Sequence, residues 1–222
     1  MKKLRKYSLT CILIVAILVT WSSMVFSQTK YASCYGFYYD WVHDTTGNAT
    51  YAGACYEIQG YASFVYHDYD ANFALNHLST DDIFFYSGHG HYTELIFYDG
   101  KNKDDTDNDC SNSYLQMEDV EEKDLSGMTL AVLAGCNTAD FGSNITTTFH
   151  EQGATCAVGW ENTLRVPQKA TWLEHFNGSL SNNSTVNQAI QTADTRTFIA
   201  YLGFTGGTDS HYIAGSGNIT IN

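Results

Sequence analysis

The chain has 222 residues, with 11 Lys and Arg against 24 Asp and Glu, giving a formal net charge of −13 at pH 7. That balance argues against nucleic acid as a partner, because phosphates need a basic surface. It suits a solvated acidic exterior and cationic or basic-peptide ligands.

The chain opens with the basic run Met1 to Lys6, followed by the apolar stretch Cys11 to Val19 and small residues through Ser27. This is the pattern of a secretory signal peptide spanning residues 1–27. The apolar stretch is short for a membrane-spanning helix, and no later stretch is long enough to cross a bilayer. Removal of the signal leaves residues 28–222, a length suited to one domain with a substantial core. Lys and Arg then fall to 7, and the net charge becomes about −17. The expected location is secreted or cell-surface, with no membrane attachment once the signal is cleaved. Five cysteines remain: Cys34, Cys55, Cys110, Cys136 and Cys156. An odd count in a secreted chain leaves one thiol over. Cys34 with Cys55 is the first candidate bridge and Cys110 with Cys156 the second, with Cys136 as the free thiol. Cys156 also reads as a small buried hydrophobe. Asn48, Asn144, Asn177, Asn182, Asn183 and Asn218 each begin a glycosylation sequon, many by chance in so Asn- and Thr-rich a chain.

From Tyr31 the pattern alternates strand and helix. Tyr31 to Trp41 is an aromatic strand, and Asp44 to Asn48 is a loop. Tyr51, Cys55 and Ile58 fall at helical spacing. Ala62 to Tyr66 is a strand, and Asp70 caps a helix carrying Phe73, Ala74 and Leu78. Asp82 to Tyr86 is a compact apolar strand that ends in Ser87-Gly88-His89-Gly90. Residues 91–127 form a long polar crossover, with a short helix near Asp119 to Leu125 and no regular structure at His91. A second apolar strand, Met128 to Ala134, ends in Gly135-Cys136-Asn137. Ile145 and Phe149 mark a short helix that Gly153 terminates. Thr155 to Trp160 is another buried strand. Pro167 suits a first helical turn, with Trp172, Leu173 and Phe176 on the apolar face and Asn177-Gly178 at the end. Thr185 precedes the amphipathic run Val186, Ala189, Ile190 and Ala193. Phe198 to Phe204 is read as a last strand, and the chain beyond Gly206 as irregular. Alternation of this kind predicts a single α/β domain, a mostly parallel sheet with helices on both faces.

The two apolar strands deliver the chemistry. Continuous apolar runs suit strands buried on both faces of a parallel sheet. One crossover separates His89 from Cys136, so neighbouring strands would bring both side chains to the carboxyl edge of the sheet. A thiol beside an imidazole is a nucleophile with a base.

Ser87-Gly88-His89-Gly90, followed by a crossover and then Leu133-Ala134-Gly135-Cys136-Asn137-Thr138-Ala139, resembles the caspase-like cysteine peptidases. The closest look is to the CHAT-domain and gingipain-like members. Gly153-Ala154 before a strand ending in Trp160, and the later helix bearing Ala189, extend the resemblance over residues 31–205. It implies a three-layer caspase–hemoglobinase-like fold and a cysteine endopeptidase acting on peptide or protein substrates, with no required cofactor. His89 would assist the Cys136 thiolate, and the backbone N–H groups of Gly90 and Cys136 would form the oxyanion hole. Basic-specific relatives carry an acidic residue two positions before the cysteine, and here that position is Ala134. Asp40 and Glu161 are the candidate replacements in substrate binding, with Trp160 beside them. Asp105, Asp107 and Asp109 have the alternate spacing of a calcium loop. Cys110 and Gln116 stand where an EF-hand needs Gly and Glu, so only a looser calcium site fits. Two other readings use the same residues. One is a catalytically silent calcium- or protein-binding surface domain. The other is acyl transfer from the same dyad to an amine.

Overall fold

The computed structural model describes residues 29–38, 44–98 and 112–222. The signal-like stretch, Asp40, Asp105, Asp107, Asp109 and Cys110 lie outside the described residues. In chain order the elements are β1 (Tyr31–Gly36), α1 (Thr46–Ile58), β2 (Ala62–His67), α2 (Ala71–His77), β3 (Ile83–Ser87), β4 (His89–His91), β5 (Glu94–Tyr98), β6 (Asn112–Gln116), α3 (Met117–Glu121), β7 (Leu130–Ala134), α4 (Ile145–Glu151), β8 (Cys156–Trp160), α5 (Val166–Leu180), α6 (Val186–Ala200) and, after a 3-10 turn at Thr208–Ser210, β9 (His211–Gly215).

The main sheet has the order β2-β1-β3-β7-β8-β9, parallel throughout except for β9. Strands β3, β7 and β8 are buried at every position, so both faces of the sheet need cover. The connections supply it. The step from β1 to β2 runs one way along the sheet, and the next three steps, to β3, β7 and β8, run the other way. Right-handed crossovers of opposite direction fall on opposite faces. Accordingly α1 packs with α5 and α6 on Ala32, Cys34, Phe85, Val132 and Val158. Helices α2, α3 and α4 cover Tyr35, Phe84, Tyr86, Leu133 and Ala157 on the other side. The first core centres on Trp172, whose ring meets Trp160 edge-on at 5.1 Å and stacks on Phe176 at 4.9 Å. Truncating so large a buried ring costs roughly 3–5 kcal/mol.

The connections reverse direction between β1 and β3, and the carboxyl ends of the strands are the usual location of sites in open α/β sheets. Asp70 accepts from the Phe73 N–H at 2.8 Å and starts α2 as its sequence predicts. Thr185 and Gln188 form a reciprocal capping box at the start of α6.

Several elements differ from the sequence reading. Helix α1 begins at Thr46, inside the expected loop, because the Asp44 carboxylate takes the Thr46 N–H at 2.9 Å and sets the first turn. Helix α5 runs past Asn177-Gly178 to Leu180. The buried Asn177 amide donates to the Leu173 carbonyl at 2.9 Å and accepts from the Tyr56 hydroxyl of α1 at 2.9 Å, so this polar side chain is satisfied between the two helices. Helix α6 continues to Ala200, which removes the expected strand at 198–204; Phe198 and Ile199 are solvent-exposed there. A capped helix propagates through apolar residues that find no sheet to join. The true last strand is β9, within the stretch read as irregular, and its antiparallel pairing with β8 closes the sheet. His91 belongs to β4, part of an antiparallel three-stranded sheet with β5 and β6 that occupies the expected crossover.

Cys34, Cys55 and Cys156 carry free thiols, so neither expected bridge is formed. All three are buried, and burial pushes each thiol up, Cys156 to about 12. These are inert core thiols. Asn144 and Asn177 are also buried and make internal hydrogen bonds, which takes their sequons out of reach in the folded chain.

Candidate active site

Strands β3 and β7 are neighbours in register, with Ser87 opposite Ala134. His89 and Cys136 therefore each stand two residues beyond the last paired position, at the carboxyl ends of adjacent strands. Both line one cleft of about 380 Å³ with Thr45, Gly88, Thr163, Leu164, Arg165, Val166, Pro167 and Lys169. His89 is exposed and Cys136 half-buried, the accessibility a base and a nucleophile need.

The two turns that carry them are held close by glycine. A Cβ on Gly135 would come within 3.0 Å of both the Cα and N of Gly90, and one on Gly90 would meet the Thr138 methyl at 2.7 Å. Backbone against backbone is how the histidine and cysteine turns approach each other. The histidine turn is fixed from below by the Tyr86 hydroxyl, which lies 2.5 Å from the His89 carbonyl and 2.6 Å from the Ile96 carbonyl. Thr45, buried after β1, bonds through its hydroxyl to the Ser87 carbonyl and ties β1 to the same end of β3.

The cysteine turn is fixed by Thr138. Its hydroxyl donates to the Leu133 carbonyl at 2.9 Å and accepts from the Trp160 N–H at 3.1 Å. The Thr138 carbonyl in turn accepts from the Thr146 hydroxyl at 2.8 Å. Asn137 takes the left-handed conformation, φ 58°, which Asn tolerates better than most residues. The chain thus reverses directly after Cys136.

Opposite this turn runs the segment Thr163 to Pro167, which leads into α5. The Leu164 N–H donates to the Cys136 sulfur at 3.3 Å. The beginning of α5 adds the positive end of a 15-residue helix to this wall of the cleft. Lys169, one turn into α5, is 5% exposed. Its ammonium donates to the Gly88 carbonyl at 3.2 Å and the Ala134 carbonyl at 3.3 Å. Burial pulls it down to about 8, and the neighbouring Cys136 charge acts the other way.

Of the sequence candidates, His89, Gly90 and Cys136 come together here. Trp160 does not take part in lining the cleft: it is 1% exposed, and its indole N–H donates to the Thr208 carbonyl at 3.1 Å. Glu161 is exposed and lies outside the cleft lining. Lys169, Leu164, Thr138 and Arg165 are additions of the structure. Lys169 had a signal: it shares the spacing of Val166, Trp172, Leu173 and Phe176, and a lysine on an apolar helix stripe is out of place. Leu164 contributes only its backbone, which no sequence pattern marks.

No protein-family profile matches the chain, and no curated protein matches it in sequence. Solved structures do match in shape. The Arg-specific cysteine proteinase gingipain R aligns with a TM-score of 0.67 at 11% identity, over 86% of this chain and 47% of its own. The complex of Porphyromonas gingivalis RgpB pro- and mature domains gives 0.66 at 11% identity, over 87% and 48%. Separase in its Saccharomyces cerevisiae complex with securin gives 0.52 at 12% identity, over 84% and 12%. The chain spans about half the length of the gingipain chains it matches. It has the caspase-like α/β fold.

Proposed function

We propose that this protein is a secreted cysteine endopeptidase with a His89–Cys136 dyad. The observation that carries the reading is the matched placement of the two side chains. Each is two residues past the in-register pair Ser87–Ala134, in one cleft whose opposite wall gives a backbone N–H to the sulfur.

The chemistry follows from the placement. The Cys136 thiolate attacks the carbonyl carbon of the scissile peptide bond. The oxyanion that forms is held by the backbone N–H groups of Gly90 and Cys136, where preorganised donors are worth most. Imidazolium at His89 gives its proton to the departing amine nitrogen, the C–N bond breaks, and a thioester remains on Cys136. His89, now neutral, takes a proton from water as the water attacks the thioester. The products are a carboxylic acid and the regenerated thiolate–imidazolium pair.

The cleft also suggests what is cut. Its described charged walls are the cations Arg165 and Lys169, with no carboxylate among the lining residues. Arg165 is exposed and available to a substrate side chain. This favours an acidic residue before the scissile bond, unlike the Arg specificity named for gingipain R.

The test is cleavage of a mixed peptide library, read by mass spectrometry, with the mature wild type, Cys136→Ala and His89→Ala. Cuts made by the wild type alone, clustered after Asp or Glu, support the reading. Equal cutting by wild type and Cys136→Ala removes it.

A further inference from the structure

The dyad's turns and the lysine beneath them form one unit. Lys169 is buried in a protein that carries about 17 more acidic than basic residues after position 27. Yet no carboxylate among the described residues pairs with it. Its hydrogen bonds go to two carbonyls, Gly88 and Ala134, at 3.2 and 3.3 Å. Those carbonyls belong to the residue just before His89 and the residue two before Cys136. Ala134 also accepts from the Gly88 N–H at 3.3 Å, so the lysine completes a bridge that already joins the two strand ends.

An ammonium has three donors, and two are used here. Among the described residues the titratable or charged groups lining the cleft are His89, Cys136, Arg165 and Lys169. Of these, only Cys136 becomes an anion, and Lys169 senses its charge. A buried lysine without a counter-ion is costly. A thiolate at Cys136 removes that cost, and the lysine returns the favour to the thiolate.

On the dyad reading above, we propose that Lys169 is a positioning residue with a fixed charge. It ties the histidine and cysteine turns together through their carbonyls, and its ammonium adds a second positive charge, beside the His89 imidazolium, for the Cys136 thiolate.

Two measurements test this, and neither depends on peptide cleavage, so its failure is distinguishable from failure of the peptidase reading. The first is the pH profile of iodoacetamide alkylation at Cys136, followed by peptide mapping. Lys169→Met removes both charge and donors; Lys169→Gln keeps donors and removes charge. Both are expected to move the alkylation midpoint upward by about one pH unit or more, with alkylation near pH 6 slowed roughly tenfold. A purely structural lysine would lower thermal stability and leave the midpoint in place. The second keeps Lys169 itself and covers the case in which those variants fail to fold. Protein labelled with 13C at lysine Cε is titrated by NMR, as wild type and as Cys136→Ala. Linkage is reciprocal, so the lysine that titrates near 8 must lose affinity for its proton when the thiol is removed. The downward shift should equal the upward shift of Cys136. A lysine midpoint that is the same in both proteins overturns the proposal. So does an alkylation midpoint that stays within about 0.3 units in a folded Lys169→Gln.

Discussion

Asp81 lies at the end of the sheet away from the dyad, just before β3, and is 5% exposed. Its Oδ1 accepts from the Ser33 hydroxyl at 2.8 Å, while its Oδ2 has no hydrogen-bond partner. Burial, only partly offset by Ser33 and by nearby His77, pushes the carboxyl from 3.8 up to about 7. The folded protein therefore holds this proton more tightly than the unfolded chain. Stability from this group is complete below about pH 4 and is lost as pH rises toward 7 and beyond. At 1.36 kcal/mol per unit, the loss is about 1.5 kcal/mol at pH 5 and about 4 kcal/mol at pH 8. Asp81→Asn is a near-isosteric copy of the protonated carboxyl, still able to accept from Ser33. Its stability relative to wild type should rise by about 2.5 kcal/mol between pH 5 and pH 8. Urea denaturation at pH 5, 6, 7 and 8, in a Cys136→Ala background to prevent self-cleavage, measures this directly. Other titrating groups cancel in the difference. A variant-minus-wild-type difference that stays flat across this range would refute the argument, and one that falls would reverse its sign.

Three further predictions concern the site. Gly90→Ala places a methyl 2.7 Å from the Thr138 methyl, which cannot swing away because its hydroxyl is bonded on both sides. The histidine and cysteine turns must separate, and kcat/KM on a cleaved peptide should fall roughly 100-fold while far-UV circular dichroism is retained. Arg165→Glu, at an exposed position on the cleft wall, should reduce cleavage after acidic residues about tenfold or more and raise cleavage after Lys and Arg, as measured by competition between paired peptides. Thr138→Val removes the hydroxyl that joins Leu133 to Trp160 and should cost about 1–3 kcal/mol in denaturant unfolding, with a larger proportional loss of activity than of stability.

The sequence made the candidate site's placement legible because its signals are local and repeated. Apolar runs at Ile83–Ser87 and Leu130–Ala134 can hardly be anything but doubly covered strands, and each ends in glycine and one reactive side chain. Their adjacency required only the rule that a single crossover joins neighbouring parallel strands. What was hidden depends on partners distant in sequence. β9 has a single buried residue, Ala214, and exists as a strand only because β8 offers it an edge. β4 to β6 read as a polar crossover because β4 and β6 are mostly exposed and only β5 buries an apolar run, and because the Tyr86 hydroxyl that anchors the β4–β5 hairpin lies outside it. The apolar run from Phe198 looked like a strand, but no sheet edge lies there to receive it. Cys34 and Cys55 looked like a bridge by count. Cys34 on β1 and Cys55 on α1 instead each fill a place of their own, where a buried thiol behaves as a small hydrophobe. Lys169 is the most instructive omission. The apolar stripe predicts its helix, and a charged residue on that stripe is the one local sign that it has a buried partner.

The central claim is that Cys136 is the nucleophile and His89 its partner. Intact-mass spectrometry after exposure to a peptidyl acyloxymethyl ketone bearing Asp at the position before the reactive carbon, followed by peptide mapping, addresses that claim most directly. The account predicts a single adduct on Cys136, none in Cys136→Ala, and labelling slowed about 100-fold in His89→Ala. Cys34, Cys55 and Cys156 should stay unlabelled in the folded protein, since all three are buried with raised thiols. Labelling of Cys136 that proceeds at the same rate without His89, or an adduct that forms elsewhere while Cys136 remains free, would contradict it.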